Sequence, residues 1–303
     1  MGVQAMIVNR PRRTMMFLNG QRASLVKDAY IYAPDCVLLD LEDAVSPSEK
    51  DSARIQLYNT LKYVNYGTVE RWVRINGTNT PYYREDIRMA VAGGVEGIRL
   101  PMTETVEEVR EVDRLIGEAE AEFGVEHGRT MMMSAIESPL GLIHCYDICT
   151  ASPRMMGVAL SAGDFRRTMH AQNTKTGEEL FVARSQLLIA ARAAGVMAFD
   201  TVYTDLKDEE GLRRETELIY KMGFDGKSLI NPRQIKTIHE VFTPSEKEIR
   251  HAEHIIAAVR ENEKRGVGVM VVDDQMIDVA HVEGAKRILQ LAKAAKRYEG
   301  DLA

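Results

Sequence analysis

Eight short apolar runs recur along the chain with helix-patterned segments between them, and this alternation constrains the fold more than any other feature. Such an alternation predicts strands joined by helices, in successive βα units. Eight such units are the number that closes a barrel. We therefore predict an α/β fold, a TIM (β/α)8 barrel followed by a C-terminal helical extension. The runs cover residues 15–18, 37–41, 72–75, 97–100, 131–136, 156–160, 198–202 and 228–230.

The helices are indicated by capping patterns. Ser46-Pro47-Ser48-Glu49 predicts an N-cap serine, a proline at the first helical position and a glutamate reaching back, and residues 243–246 repeat the pattern. Residues 103–123 carry apolar side chains on one helical face, as expected of a helix on a barrel wall. The pair Gly93-Gly94 predicts a helix end and turn, because no G-x-G-x-x-G pattern follows a strand.

The pattern changes after the eighth run. We predict a long helix from residue 245 to about 265, an apolar stretch at 267–272 and a last helix near 282–297. The predicted domains are a catalytic barrel at residues 10–240 and a helical extension or lid at 241–303. The extension either covers the barrel mouth or packs on a neighbouring subunit.

Composition excludes several classes of protein. The 303 residues carry a net charge of -6, which argues against a nucleic-acid or acidic-membrane partner. No apolar stretch reaches the roughly 20 residues of a membrane span. Three cysteines are too few for a disulfide framework and are typical of a reducing compartment. We expect a cytoplasmic protein whose partners are small molecules or other proteins.

Polar side chains follow the predicted strands where the active site of a barrel is built, at the carboxyl ends. These polar residues come from four different predicted strands. They are Asp40, Glu42, Asp43, Arg74, Asn76, Glu137 and Asp164.

These residue types suit a metal site. Two carboxylates from adjacent strands, with no histidine or thiolate beside them, favour a hard cation such as Mg²⁺. The two-donor fork of Arg74 suits a substrate carboxylate. Asp40 or Glu42 taken alone is equally consistent with a salt bridge at a strand end. His251 and His254 lie three residues apart without a third ligand, and we interpret them as helix-surface residues.

Five stretches resemble the citrate lyase β-subunit family, within the wider HpcH/HpaI aldolase group of acyl-thioester lyases that includes malyl-CoA and citramalyl-CoA lyases. The resemblance runs from about residue 13 to the final helix. The stretches are RTMMFL at 13–18, LDLEDAV at 39–45, VRIN at 73–76, IESPLG at 136–141 and GFDGKSLINPRQ at 223–234.

The resemblance implies roles for individual residues. Glu137 and Asp164 would ligate Mg²⁺, and Glu137 would also bind substrate beside Arg74, which would hold a carboxylate of the oxaloacetate-like half. Glu42 and Asp43 would support the metal waters.

The resemblance also implies that Asp278 is a general acid/base reaching in from a neighbouring subunit. Spacing alone makes Asp278 a turn or helix-cap residue. Whether it acts within its own chain is left open.

The implied reaction is a Mg²⁺-assisted retro-Claisen cleavage of a citryl thioester, on an acyl-carrier protein (ACP) or on CoA, to oxaloacetate and an acetyl thioester. The implied partners are the acyl-carrier and α-subunits of a citrate lyase complex, with further copies of this chain in a trimer or larger homo-oligomer. Two alternatives remain: a lyase for malyl-CoA or citramalyl-CoA, and a non-catalytic metal-binding barrel subunit.

Four positions depart from the family pattern. Asn19 stands for a proline, Met102 for a lysine, Gly163 for a glutamate before the metal aspartate, and Ala280 for a proline near Asp278. None removes a proposed metal ligand. They leave the thioester contacts and the choice of acyl substrate open.

Overall fold

The computed structural model describes residues 10–263, 270–272, 275–277 and 279–300. The chain divides into two compact units, one spanning Arg12–Ile238 and the other built mainly from His239–Ala303. The assignment of residues 10–240 as the catalytic domain and 241–303 as an extension or lid stays a prediction.

Eight parallel strands in the described part of the first unit close into a barrel. They follow one another in sequence order, and β8 returns to pair with β1. Each predicted run overlaps one strand, so the predicted barrel is confirmed. The strands are β1 (Thr14–Asn19), β2 (Cys36–Asp40), β3 (Glu70–Arg74), β4 (Gly97–Leu100), β5 (Met131–Ile136), β6 (Met155–Leu160), β7 (Met197–Asp200) and β8 (Gly226–Leu229).

Helices surround the barrel. The longest helix of the first unit buries Val109, Val112 and Ile116, which confirms the apolar face predicted for residues 103–123. Gly93 and Gly94 end a helix, as predicted, and Gly94 has a φ of +83°. The helices of this unit are α1 (Ala23–Val26), α2 (Lys50–Tyr63), α3 (Tyr83–Ala92), α4 (Val106–Phe123), α5 (Pro139–Ile143), α6 (Cys145–Thr150), α7 (Ala162–Met169), α8 (Phe181–Ala194), α9 (Glu209–Met222) and α10 (Gln234–Val241), the last of which crosses the boundary between the units.

The predicted N-cap at Ser46 is confirmed in position, with Pro47 in the first turn, but its predicted side-chain hydrogen bonds are absent. A 3₁₀ turn over Pro47–Glu49 precedes α2, and the side chain of Ser46 makes no capping hydrogen bond. The carboxylate of Glu49 instead accepts a 2.8 Å hydrogen bond from Ser52 Oγ. The 3₁₀ turn separates the serine from the start of α2, so the pattern predicted the start of the helical segment but not its hydrogen bonds.

The barrel interior is closed by a core that includes Trp72, Met133, Met156 and Phe199. Trp72 is fully buried, and its register partner on the next strand is Gly97. A Cβ at Gly97 would lie 2.3 Å from the indole ring. Only glycine leaves room for this tryptophan.

A buried ion network joins β7 and β8 to the helices behind them. Asp200 accepts hydrogen bonds from Arg184 Nε at 2.9 Å and from Lys227 Nζ at 2.9 Å. Lys227 Nζ also donates to Glu215 at 2.6 Å and to the Thr201 carbonyl at 2.7 Å. Arg184, Asp200 and Lys227 are fully buried, and each has its partners. The predicted eighth run began at residue 228, whereas β8 begins at Gly226. A search for apolar residues leaves out Lys227, because it is charged although it is buried in the strand.

The second unit contains α11 (Glu246–Glu263), an antiparallel pair β9 (Met270–Val272) and β10 (Gln275–Ile277), and α12 (Val279–Ala294). Ile249 and Ile255 on α11 pack in one apolar cluster with Leu289 on α12. Ser245 and Glu248 cap α11 reciprocally, two residues later than the pattern at 243–246 predicted. The predicted order of helix, apolar stretch and helix is confirmed for the described residues.

Candidate functional site

A cavity of about 420 Å³ opens at the carboxyl ends of the strands. Most of the polar residues predicted from the strand ends line it, from strands that are far apart in sequence. Its lining includes Phe17, Asn19, Asp40, Asp43, Arg74, Arg99, Glu137, Ser161, Gly163, Asp164, Thr201 and Ser228.

Arg74 is held by acids on one side of this cavity. Its Nε and Nη2 donate to the two carboxylate oxygens of Asp40, each at 2.7 Å, and Asp40 is its register partner on β2. Its Nη1 lies 2.7 Å from Glu42 Oε2 and 3.4 Å from Asp43 Oδ2. Asp40 and Glu42 therefore do form salt bridges at a strand end, the second interpretation that the sequence allowed, and the fork of Arg74 is occupied by Asp40.

Glu42 is unusual among these acids. Burial raises its pKa to about 8, against the attraction of Arg74, which lowers it. The negative charges of Asp43 and Glu137 raise it further. With this pKa Glu42 is largely protonated at neutral pH, so Asp40 is the main anionic partner of Arg74.

Glu137 follows β5 and is 3% exposed. Its Oε1 accepts a 3.2 Å hydrogen bond from the backbone N–H of Met102, a residue with a φ of +50°. Burial raises the pKa of Glu137, the charge of Arg99 lowers it, and the charge of Asp164 contributes a smaller increase. Met102 stands where the family resemblance implies a lysine, so this position brings no positive side chain to the site. Its backbone N–H, held in a strained conformation, orients the carboxylate of Glu137.

Asp164 lies in the first turn of α7, which begins just past the end of β6. The N-terminal turn of a helix favours a negative charge, which suits a carboxylate here. Its Oδ1 lies 2.7 Å from Arg167 Nη2, a contact made by a largely exposed arginine. Such an exposed ion pair is weak, so Asp164 is available to a stronger cation.

The donors in the cavity suit a hard cation. Glu137 and Asp164 both line it, and no histidine or cysteine of the described ranges belongs to its lining. Among the described residues, no cluster of three or more acidic, histidine or cysteine side chains forms an all-protein cage. Mg²⁺ is bound in many sites through one or two carboxylates, with water and substrate completing its shell, so a two-carboxylate site fits it.

Arg99 lines the cavity and was missed by the sequence reasoning. It lies on β4 within a run that reads as apolar, is 1% exposed, and packs with its Cζ 5.1 Å from the centroid of the Phe17 ring. Its Nη2 donates to Ser161 Oγ at 3.0 Å and its Nη1 to Ser228 Oγ at 3.3 Å. The sequence signal that could have found it is an arginine inside an otherwise apolar four-residue run, residues 97–100, which forms a fully buried strand.

Asn76 does not line the cavity: its side chain donates to Asp86 at 2.6 Å and to the Leu41 carbonyl at 3.1 Å. Asp278 lies outside the described residues. Ala280 belongs to α12.

No helix in the part of the chain that the structure describes is long and apolar enough to cross a membrane.

Comparisons with known proteins agree with this fold. The family model HpcH/HpaI aldolase/citrate lyase matches residues 13–232. The citrate lyase subunit beta of Leuconostoc mesenteroides subsp. cremoris is 51% identical over 285 residues, which are 94% of each chain. The structure of CitE from Mycobacterium tuberculosis in complex with magnesium, acetoacetate and coenzyme A superposes with a TM-score of 0.74 at 25% identity, covering 95% of this chain and 99% of that one.

A second solved structure, the citrate lyase beta subunit from M. tuberculosis complexed with oxaloacetate and magnesium, has a TM-score of 0.65 at 26% identity and covers 80% of this chain and 100% of that one. The family match covers more than half of the chain, and the sequence relative spans nearly all of it. The resemblance noted from the motifs is therefore confirmed: this chain belongs to the HpcH/HpaI aldolase/citrate lyase family.

Proposed function

We propose that this chain is a carbon-carbon lyase that cleaves a citryl thioester into oxaloacetate and an acetyl thioester. The observation that carries the proposal is the cavity at the barrel mouth, which joins two carboxylates suited to Mg²⁺ with two guanidinium groups suited to an anionic substrate. The relative named citrate lyase subunit beta and the solved relative holding oxaloacetate and magnesium support this choice of substrate and metal.

Glu137 and Asp164 are the proposed ligands of Mg²⁺, and Glu42 and Asp43 the proposed supports of its water molecules. When bound, the ion supplies Lewis-acid polarisation of the substrate hydroxyl and a template for its carboxylate. Glu137 is oriented for this task by the Met102 N–H, and its burial keeps bulk water from the carboxylate.

The cleavage breaks one carbon-carbon bond and transfers two protons. The hydroxyl loses its proton and becomes the carbonyl of oxaloacetate as the bond to the thioester arm breaks. The electron pair of that bond forms the thioester enolate, which then takes a proton on carbon. Arg74 stays protonated and is the proposed binder of one substrate carboxylate, with its plane fixed by Asp40. Asp278 remains the proposed proton-transfer group on the family resemblance.

The partners follow from the same proposal. A β-subunit of citrate lyase works in a multi-subunit assembly, so we propose an α-subunit and an acyl-carrier protein as partners, beside further copies of this chain. The substrate is then a thioester on the carrier protein or on CoA. The site of action proposed for such a complex is the cytoplasm.

The test compares citryl, malyl and citramalyl thioesters, each on CoA and on carrier protein, with the purified chain and Mg²⁺. The proposal predicts that citryl thioester is cleaved with the highest kcat/KM. A preference for malyl or citramalyl thioester would assign the chain to the related lyases. Tight Mg²⁺ binding without turnover of any thioester would make it a non-catalytic barrel subunit.

A further inference from the structure

Arg99 and Arg74 are neighbours on the inside of the barrel with opposite electrostatic surroundings. They are register partners on β3 and β4. Both guanidinium groups pack on the Phe17 ring, with the Cζ atom 4.9 Å from the ring centroid for Arg74 and 5.1 Å for Arg99. Both line the same cavity. Both guanidinium groups can therefore face one bound molecule.

Their partners differ in charge. Arg74 is surrounded by the carboxylates of Asp40, Glu42 and Asp43. Among the described residues, Arg99 donates to two neutral hydroxyls, Ser161 Oγ and Ser228 Oγ, and its buried Nε has no hydrogen-bond partner there. Across the described part of the chain no carboxylate forms an ion pair with Arg99.

A buried guanidinium without a counter-ion is costly, because the protein interior solvates a charge poorly. Burial lowers the pKa of Arg99 to about 10, against the attraction of Glu137, so the group is still charged at neutral pH. An anion that entered the cavity would supply the missing partner. The unpartnered Nε and the two terminal nitrogens are the donors available to it.

The number of charges on a citryl thioester matches this arrangement. Its hydroxyl-bearing carbon carries one carboxylate directly and a second one on a carboxymethyl arm, and a malyl thioester lacks the arm. The hydroxyl and the directly attached carboxylate can chelate one cation together, so that carboxylate would go to the metal that Glu137 and Asp164 are proposed to hold. The arm needs a second cation, and the charge of Arg74 is already balanced by acids.

We propose that Arg99 binds the carboxylate of the carboxymethyl arm and so selects citryl over malyl thioesters. This assignment rests on the proposed function and deepens it. After cleavage the same carboxylate is the one farther from the keto group of oxaloacetate, so product binding reports on the contact without any turnover.

The experiment uses two matched ligands, oxaloacetate and 2-oxobutyrate, in which a methyl group replaces the far carboxylate. Calorimetry in Mg²⁺ buffer gives the affinity of both for the wild-type chain, Arg99→Met, Arg99→Lys and the surface control Arg84→Met, which removes an exposed charge on α3. The wild type and the control are expected to prefer oxaloacetate by about 100-fold or more, as a buried charge pair implies. Arg99→Met is expected to lose most of that preference while binding 2-oxobutyrate within about threefold of wild type.

Arg99→Lys keeps the buried positive charge but replaces the two parallel donors of the guanidinium by a point charge. It therefore tests whether the preference needs two parallel hydrogen bonds or only the charge. It is expected to retain part of the preference, and it covers the case in which the methionine variant does not fold. Equal weakening of both ligands in the variants, or a wild type that binds both ligands alike, would overturn the assignment. A wild type that shows the Arg99-dependent preference yet cleaves no citryl thioester supports the assignment and contradicts the proposed function.

Discussion

Arg74 Nε and Nη2 each donate a 2.7 Å hydrogen bond to the carboxylate of Asp40, its register partner on the adjacent strand. Asp40 is itself held by the backbone N–H groups of Glu42 at 3.0 Å and Ala44 at 3.2 Å. The loop after β2 thereby fixes the plane of the guanidinium at the cavity wall. Asp40 is a positioning residue that acts through Arg74.

Replacing Asp40 tests this positioning. Asp40→Asn keeps the shape but removes the charge and one acceptor, so Arg74 loses its fixed plane. We expect kcat/KM for the citryl thioester to fall about 10- to 100-fold, the usual cost of losing a group that orients a site residue. Mg²⁺ affinity, measured by calorimetry, should change little. The control Asp51→Asn, which changes an exposed aspartate on α2, should leave kcat/KM unchanged. Equal losses in both variants would remove the positioning role.

The buried network behind β7 and β8 makes a prediction about stability. Lys227→Met removes one cation and leaves Asp200 and Glu215 with Arg184 alone. Breaking a buried pair from one side costs about 3–5 kcal/mol. Urea denaturation should show this loss, while Lys286→Met, at a partly exposed pair on α12, should stay within about 0.5 kcal/mol of wild type. A loss below about 1 kcal/mol for Lys227→Met would show that the network is not a stabilising element.

The same network makes stability depend on pH. Burial alone would raise the pKa of Asp200, but the charges of Lys227 and Arg184 lower it to about 2. An unfolded aspartate has a pKa of about 3.9. The folded pKa is the lower one, so the contribution is complete above about pH 4 and is lost as pH falls towards 2. Denaturation between pH 5 and pH 2 should show a smaller pH-dependent loss for Lys227→Met than for wild type, and identical profiles would contradict this account.

The sequence predicted the barrel because β-strand and helix patterning are local properties of the chain. It predicted where Glu137 and Asp164 would meet, because the carboxyl ends of parallel strands share one rim. Arg99 was missed because its partners, Ser161 and Ser228, lie on distant segments and no local pattern marks a buried cation. The sequence also predicted that the two donors of Arg74 would be open to substrate. Their pairing with Asp40 depends on the register of two strands, which no local pattern shows.

Gly163 offers a gain-of-function test. A Cβ at this position meets no heavy atom within 4 Å, and the residue lines the cavity next to Asp164. Gly163→Glu restores the glutamate usual in the family and adds a third carboxylate near the proposed metal site. One further charge near the ion contributes roughly 1 kcal/mol, so Mg²⁺ should bind about fivefold more tightly in calorimetry. Gly163→Gln, of matched size, should show no such gain, and equal affinities for the two variants would contradict the placement of the metal.

The most direct test of the central claim is Mg²⁺ binding and citryl thioester cleavage measured on the same preparations of Glu137→Gln and Asp164→Asn. These variants keep the shape of each side chain and remove its charge. The account predicts that each weakens Mg²⁺ binding at least tenfold and reduces cleavage in parallel, with the barrel still folded by circular dichroism. Wild-type Mg²⁺ affinity and full cleavage in either variant would contradict it.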